Sequence, residues 1–146
     1  MKSKFFPECF YRVTVKGLLV KDGKLLLSLE SPELSGQWEL PGGGLDFGET
    51  PEGALKREVK EEMGLKVTHV SKQPLYTWLT KYENKRDLDW YISLTLAYKM
   101  ETADLDFKKT AECQDIGFFL ASDLQTLDLH RQSLELRKVF KPEDFL

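Results

Sequence analysis

The residues of segment 10–20, FYRVTVKGLLV, alternate between apolar and polar and then become continuously apolar. Alternation places successive side chains on opposite faces of a strand, so this pattern predicts a strand that becomes buried along its length. Asp22 and Gly23 form a dipeptide typical of a tight hairpin turn, and residues 24–30, KLLLSLE, read as the returning strand. The pattern therefore predicts a β-hairpin over residues 10–30.

Several later segments also have the composition of strands. Residues 66–82 contain VTHV and LYTWLTKY, and residues 90–100, WYISLTLAYKM, are rich in β-branched and aromatic side chains, which favour strands. We expect these two regions to pair as an antiparallel hairpin across a charged connection over residues 83–89. Short strands are predicted at residues 38–40 and 114–120.

Two segments have features of helices. For residues 51–63, Thr50 is a suitable N-cap, Pro51 suits the first helical position, and Gly64 suits the residue that ends the helix. Apolar residues at helical spacing predict a second helix over residues 127–140. Strands mixed with two helices predict one α/β domain over residues 1–146, with a central mixed β-sheet and helices on both faces.

The first predicted helix carries a cluster of carboxylates. Glu58, Glu61 and Glu62 fall within an arc of about 100° at 3.6 residues per turn. A like-charge pair one turn apart costs roughly 0.2–0.5 kcal/mol, and taken alone such a cluster is most often a solvated helix face. A hard divalent cation would offset the repulsion, because carboxylate oxygens are the ligands that Mg²⁺ and Mn²⁺ take.

The residues around this helix occur at a specific spacing. Gly43 is followed after five residues by Glu49, and after seven more by the run REVKEEMGL over residues 57–65. This arrangement resembles the Nudix box in every fixed position. The resemblance implies a Nudix-type α/β/α sandwich, and it implies a hydrolase that cleaves a diphosphate linkage in a nucleoside diphosphate bound to another moiety. Nucleotide sugars, dinucleotides and nucleoside triphosphates are substrates of that kind.

The resemblance also implies a metal site that holds Mg²⁺ or Mn²⁺. The three consecutive glycines of Gly42–Gly44 read as a loop in which backbone can approach a ligand closely, and the family pattern points to the carbonyl of Gly42 as a metal ligand. The remaining implied ligands are the box carboxylates Glu58, Glu61 and Glu62.

The other positions of the box have implied roles in shaping and catalysis. Glu49 and Arg57 would brace the loop against the helix and aim the carboxylates, and Gly43 and Gly64 would be structural. We group Arg57 with the catalytic residues. The general base stays open between Glu58 and Glu112, and Asp115 is a weaker candidate.

Substrate contacts are less clearly marked. Many family members carry arginines at the end of the second strand, where this chain reads Ser-Leu-Glu over residues 28–30. Arg12 or Lys16 on the first strand can take that place as a phosphate contact. Trp38 and Tyr82 are candidates for stacking on a base, and Tyr82 is spaced from Leu65 like a tyrosine of the family's diadenosine polyphosphate hydrolases.

Two alternative functions remain open. A non-catalytic module that senses a nucleotide would share the fold, but the chain keeps all the box carboxylates. A diphosphate isomerase on the same fold would need a catalytic cysteine, for which Cys113 beside Glu112 is the candidate. His69 and His130 have no partners that the sequence reveals, and we expect both to be structural or surface residues.

Composition and charge limit the partners. The net charge is −3, with 24 acidic and 21 basic residues, which argues against a stable nucleic-acid complex. No apolar run approaches the roughly 20 residues that cross a bilayer. Two cysteines and the lack of a secretory pattern at the N-terminus together predict a cytoplasmic enzyme. Homodimers are common in the family that the chain resembles, but the sequence does not identify an interface.

Overall fold

The computed structural model describes residues 11–85 and 88–146. Its strands in chain order are β1 Tyr11–Leu18, β2 Val20–Lys21, β3 Lys24–Glu30, β4 Trp38–Glu39, β5 Gly42–Gly44, β6 Val67–Val70, β7 Tyr76–Lys85, β8 Leu88–Thr102 and β9 Cys113–Phe119. The helices are α1 Pro51–Met63 and α2 Leu136–Val139, with short 3-10 segments at Asp123–Gln125, Arg131–Ser133 and Pro142–Phe145. The first residue of the predicted opening strand, Phe10, lies outside the described residues.

The strands form two sheets. In the larger, mixed sheet β1 lies between β5, which is antiparallel to it, and β8, which is parallel to it. Both β6 and β7 pair with β8 in antiparallel fashion. In the smaller sheet β3 pairs with β2, β4 and β9, all antiparallel. This arrangement confirms the predicted mixed sheet and the predicted hairpin of β7 with β8.

Helix α1 forms between the predicted caps. The Thr50 hydroxyl accepts a hydrogen bond from the backbone N–H of Gly53 at 3.1 Å, which satisfies one of the free amides of the first turn. Gly64 ends the helix with φ +71°, and its N–H donates to the Lys60 carbonyl at 3.0 Å. The helix buries its apolar stripe, namely Ala54, Leu55, Val59 and Met63.

Two hydrophobic clusters lie on opposite faces of β3. Successive side chains of a strand point to opposite sides, and Leu26 belongs to the cluster beneath α1. Its neighbours Leu25 and Leu27 belong to the other cluster, which the C-terminal segment covers with Leu129, Leu136 and Phe140. Helical segments therefore cover two faces of the strand layer, which confirms the predicted α/β/α sandwich. Within the described ranges, no helix is both long and apolar enough to cross a membrane.

Four predictions about elements are wrong. The opening hairpin is shorter than residues 10–30, because β2 pairs with β3 whereas β1 pairs with β5 and β8 in the larger sheet. Residues 127–140 do not form one helix: 128–130 run beside β4, with Trp38 N–H donating to Asp128 at 3.0 Å and His130 N–H donating to Trp38 at 2.7 Å, and these backbone bonds replace the helical ones. Gly42–Gly44 is a strand rather than a loop, because β1 supplies it with an antiparallel partner. The predicted charged connection is shorter than residues 83–89, since β7 extends to Lys85 and β8 starts at Leu88.

Candidate active site

Strand β5 brings backbone close to β1 at the start of the candidate site. Gly42 lies opposite Lys16 in the antiparallel register and has φ +126°. A Cβ at this position would collide with the Val15 carbonyl and the Lys16 Cα. Only glycine combines this backbone conformation with this closeness, so the Gly42 carbonyl is fixed where a bulkier residue could not be placed.

The next glycine makes room for a carboxylate of α1. A Cβ on Gly43 would lie 2.6 Å from the Glu58 carboxyl carbon, well inside van der Waals contact. The absence of a side chain on Gly43 therefore lets Glu58 lie directly against β5.

Arg57 connects the loop that precedes α1 to the helix itself. Its Nε and Nη2 donate to the two Glu49 carboxylate oxygens, each at 2.8 Å, and its Nη1 donates to Glu58 at 2.9 Å and Glu61 at 3.3 Å. Nη2 also reaches the Gly44 carbonyl at 3.3 Å. Bidentate, charge-assisted bonds of this kind fix geometry as well as adding energy.

The ion pair between Arg57 and Glu49 shifts the pKa values of both side chains. The Arg57 guanidinium, followed by the backbone N–H of Asp46, holds the pKa of Glu49 at about 2. Glu49 is therefore ionised throughout the neutral range, and its bonds raise the pKa of Arg57 further above its ordinary value.

The three carboxylates of α1 have different environments. Glu61 is 54% exposed and Glu58 18% exposed, and both contact Arg57. Glu62 is 6% exposed, and burial raises its pKa well above the ordinary value; Lys16 opposes the rise, and the charges of Glu39, Glu58 and Glu112 add to it. The helix therefore offers one buried, one partly buried and one solvated carboxylate.

Glu58 and Glu62 line a pocket of about 230 Å³ between the two sheets. Its walls come from β1, β3, β4, β5, α1, β9 and the segment after Leu129. The lining residues are Lys16, Ser28, Glu30, Glu39, Gly42, Gly43, Glu58, Glu62, Glu112, Cys113, His130 and Gln132. Of the predicted site residues, the pocket thus gathers Gly42, Gly43, Glu58, Glu62 and Glu112.

A second acidic group lies across the pocket from α1. Burial raises the pKa of Glu39 to about 7; nearby Lys16 lowers it, and the charge and hydrogen bond of Glu30 raise it. Glu39 lies 3.9 Å from the Lys16 ammonium and 3.6 Å from Nδ1 of His130. The charged groups that line the pocket are therefore mainly carboxylates, and one of them, Glu39, titrates near neutral pH.

Comparison with known proteins identifies the family. The family profile described as "NUDIX domain" matches residues 10–140. The chain is a member of the Nudix family.

Individual relatives agree with this assignment. An Escherichia coli protein named nucleoside triphosphatase NudI is 33% identical over 136 residues, which cover 86% of this chain and 96% of that protein. A Mycobacterium tuberculosis protein that carries 8-oxo-dGTP diphosphatase in its name is 42% identical over 62 residues, 41% of this chain but only 44% of the relative's length. The crystal structure of a MutT protein from Methanosarcina mazei superposes with a TM-score of 0.70 at 19% identity, covering 95% of this chain and 99% of that one.

The donor atoms of this Nudix domain suit a hard divalent cation. The Gly42 carbonyl and the Glu58 and Glu62 carboxylates lie in one pocket and are all oxygen ligands. In the described part of the chain, however, no three His, Cys, Asp or Glu side chains converge closely enough to hold an ion as they stand. Glu58 is turned towards Arg57 instead.

Of the predicted substrate residues, Lys16 lines this pocket, whereas Arg12, Trp38 and Tyr82 lie outside it. The Arg12 guanidinium packs against Gly44, and Trp38 packs edge-on against Phe119 at 4.8 Å. Tyr82 is buried beneath the Arg131 guanidinium, whose centre lies 5.1 Å from the ring. Their roles in binding stay predictions.

Two further candidates are separated by their position. Glu112 lines the pocket, whereas Asp115 is exposed and accepts a hydrogen bond from the N–H of Ile116 at 2.8 Å. The placement therefore favours Glu112 over Asp115 as the carboxylate nearest the site.

Sequence reasoning missed several pocket residues. Glu39 directly precedes the Leu-Pro-Gly-Gly-Gly segment, and that position beside the predicted loop was the available signal for it. From the sequence, Glu30 is notable only because it lies where many family members carry an arginine. His130 was expected to be structural or on the surface, and Gln132 carried no signal; both reach the pocket only through the path of the C-terminal segment.

A larger groove, of about 800 Å³, lies elsewhere on the Nudix domain. Its walls include Leu18, His69, Lys99, Met100 and Phe145. It contains none of the box carboxylates, so its size does not make it the centre of the chemistry.

Proposed function

We propose that this Nudix domain is a metal-dependent pyrophosphohydrolase. Its substrate would be a nucleoside diphosphate linked to another moiety: a nucleotide sugar, a dinucleotide or a nucleoside triphosphate. The observation that carries the proposal is the meeting of Glu58, Glu62 and the Gly42 carbonyl in one pocket. The names of the E. coli and M. tuberculosis relatives support a nucleotide as the small-molecule partner.

We propose Mg²⁺ or Mn²⁺ as the cofactor, held by Glu58, Glu61, Glu62 and the Gly42 carbonyl. When bound, such an ion neutralises phosphate charge and lowers the pKa of a coordinated water. Arg57 donates hydrogen bonds to Glu58 and Glu61. These bonds therefore limit how far the two carboxylates can turn towards the pocket.

The general base would be a carboxylate that can reach the attacking water. Glu58 and Glu112 both line the pocket, on α1 and just before β9, and either could accept the proton. Phosphoryl transfer requires mainly positioning and charge stabilisation, which agrees with a site built from carboxylates, a lysine and an amide. We place this activity in the cytoplasm, where Cys113 would remain the free thiol that it is here.

The isomerase alternative is less well supported. The Cys113 side chain is 2% exposed and donates to the Asp115 carbonyl at 3.2 Å. Burial raises the pKa of this thiol to about 11, so it is protonated at neutral pH, whereas a reactive cysteine needs its thiolate.

The deciding experiment is chromatographic detection of nucleoside monophosphate and its co-product, formed from a panel of nucleotide sugars, dinucleotides and nucleoside triphosphates, with Mg²⁺, with Mn²⁺ and with chelator. Replacing Glu62→Gln should lower turnover by at least about 100-fold while the protein stays folded, because it removes a carboxylate that would hold the metal ion. The matched control is Glu52→Gln on the same helix, where an exposed glutamate pairs with Lys56 at 3.3 Å and contributes little.

Two results would contradict the proposal. Near-normal turnover of the Glu62→Gln protein would show that catalysis does not require the Glu62 carboxylate. Saturable nucleotide binding without cleavage of any member of the panel would favour the sensing module instead.

A further inference from the structure

Lys16 is a buried lysine that lines the acidic pocket. The side chain is 3% exposed, and its ammonium donates to the Leu40 carbonyl at 3.1 Å and the Gly42 carbonyl at 3.0 Å. Glu39 lies 3.9 Å away as its carboxylate partner. Burying an ammonium is costly unless it is paired and hydrogen-bonded, and here the two carbonyls and the carboxylate supply that compensation.

The position of Lys16 is fixed by the strand pairing. Lys16 on β1 lies opposite Gly42 on β5, where Gly42 leaves no side chain between the two backbones. The ammonium therefore contacts the carbonyl of the residue directly across from it. This is the same carbonyl to which the proposed metal ion would bind.

The Lys16 ammonium lies in a pocket that is rich in glutamates, so its charge affects several carboxylates. Five described glutamates line the pocket, namely Glu30, Glu39, Glu58, Glu62 and Glu112. The Lys16 charge opposes the rise in the pKa of both Glu39 and Glu62, so it acts on carboxylates from both walls. A divalent cation in the same pocket would seek the same oxygens, and two cations a few ångströms apart repel strongly where water is largely excluded.

We propose that Lys16 is a built-in counter-ion that competes with the divalent cation for the Gly42 carbonyl and its neighbouring carboxylates, and thereby sets the metal affinity of the site. This inference rests on the proposed metal-dependent function. It assigns Lys16 to the tuning of metal binding, whereas the sequence offered it as a phosphate contact.

Metal binding measured without turnover tests the inference. Mn²⁺ is titrated into metal-free protein, with binding followed by calorimetry and by the loss of the free-ion electron paramagnetic resonance signal. Lys16→Met removes the charge and keeps the length of the side chain, and we expect it to tighten the Mn²⁺ dissociation constant by at least about tenfold. Lys24→Met, at an exposed lysine at the start of β3, should leave the constant within about twofold of the wild type.

A second measurement uses the wild-type protein and so does not depend on the folding of a variant. In an assigned spectrum, the Cε and Nζ signals of Lys16 should shift saturably as diamagnetic Mg²⁺ is added, while those of Lys24 stay in place. Unshifted Lys16 signals at saturating Mg²⁺ would overturn the inference.

The outcomes separate the two proposals. In one outcome the wild-type protein binds Mn²⁺ and the Glu62→Gln protein does not, but the Lys16→Met protein binds Mn²⁺ no more tightly than the wild type. That result would leave the proposed function standing and would contradict the role of Lys16. Wild-type protein that binds no Mn²⁺ even with nucleotide would overturn the metal-dependent function, and this inference with it.

Discussion

The three box glutamates of this Nudix domain share one arc of α1 but differ in exposure. Glu62 is 6% exposed, whereas Glu61 is 54% exposed and contacts Arg57. Glu58 lies between these extremes at 18% and is the one that packs against Gly43.

Gly43 gives a sharp test of the fit between β5 and α1. In Gly43→Ala, the new Cβ would press on the Glu58 carboxyl group, the mobile end of a flexible side chain. We expect turnover to fall about tenfold or more, while the unfolding free energy changes by less than about 1 kcal/mol. Steady-state kinetics and urea unfolding measure the two effects.

The control adds the same methyl group elsewhere on the helix. Gly53→Ala lies in the exposed first turn of α1, where the Cβ meets only the Thr50 hydroxyl, and should leave turnover unchanged. Equal turnover in the two variants would show that Glu58 does not need its place against Gly43.

Residues that reach the pocket through tertiary structure could not be predicted. Lys16 alternates with apolar neighbours along β1, and the sequence offers it as a phosphate contact without indicating that it is buried. It is buried because β5 and the glutamates supply partners from distant parts of the chain. The same holds for His130 and Gln132, whose positions follow from a segment that the apolar spacing wrongly predicted as a helix.

At the scale of elements, capping residues predicted the bounds of a helix correctly, whereas apolar spacing alone did not. Helix α1 begins and ends where Thr50, Pro51 and Gly64 predict, because caps act through bonds within one turn. The predicted helix over residues 127–140 had apolar spacing without comparable caps. It is divided between a segment that bonds to β4, a 3-10 turn and the short helix α2.

The connection between α1 and its preceding loop has a measurable pH dependence. Glu49 has its pKa lowered from 4.5 to about 2 in the folded protein, so its contribution to stability is fully present above about pH 4.5 and is lost as the pH falls towards 2. Urea unfolding of wild type and Glu49→Gln should therefore differ most near pH 6 and converge near pH 2. A difference that stays constant over this range would mean that Arg57 does not stabilise the charged form of Glu49.

At the scale of the whole molecule, the class of fold was predictable and the order of strands was not. Alternation and turn signals identify most strands, and the Nudix-like box identifies the sandwich. The parallel pairing of β1 with β8, by contrast, joins residues such as Thr14 and Ser93, whose hydroxyls lie 2.9 Å apart across 79 positions of sequence. No local pattern encodes such a partner.

The pocket takes its walls from both sheets and from α1, so a ligand there should stabilise the entire domain. At 100 times its dissociation constant, a ligand that binds only the folded state adds about 2.7 kcal/mol, which corresponds to roughly 5–10 °C in Tm for a domain near 150 residues. Thermal scans with Mn²⁺ and a non-hydrolysable nucleotide measure this shift. The Glu62→Gln protein should show a much smaller shift; equal shifts in both proteins would place the ligand outside the pocket.

The pairing of β1 with β8 also governs when the protein can fold during its synthesis. Helix α1 and strands β1 to β3 leave the ribosome long before residues 92–99 of β8, which pair with β1. Closing so long a chain segment carries an entropic cost that is met only once these late residues arrive. We therefore expect the apolar stripe of α1 to stay exposed on the nascent chain until β8 has been synthesised, because Tyr98 and Met100 belong to the same buried cluster.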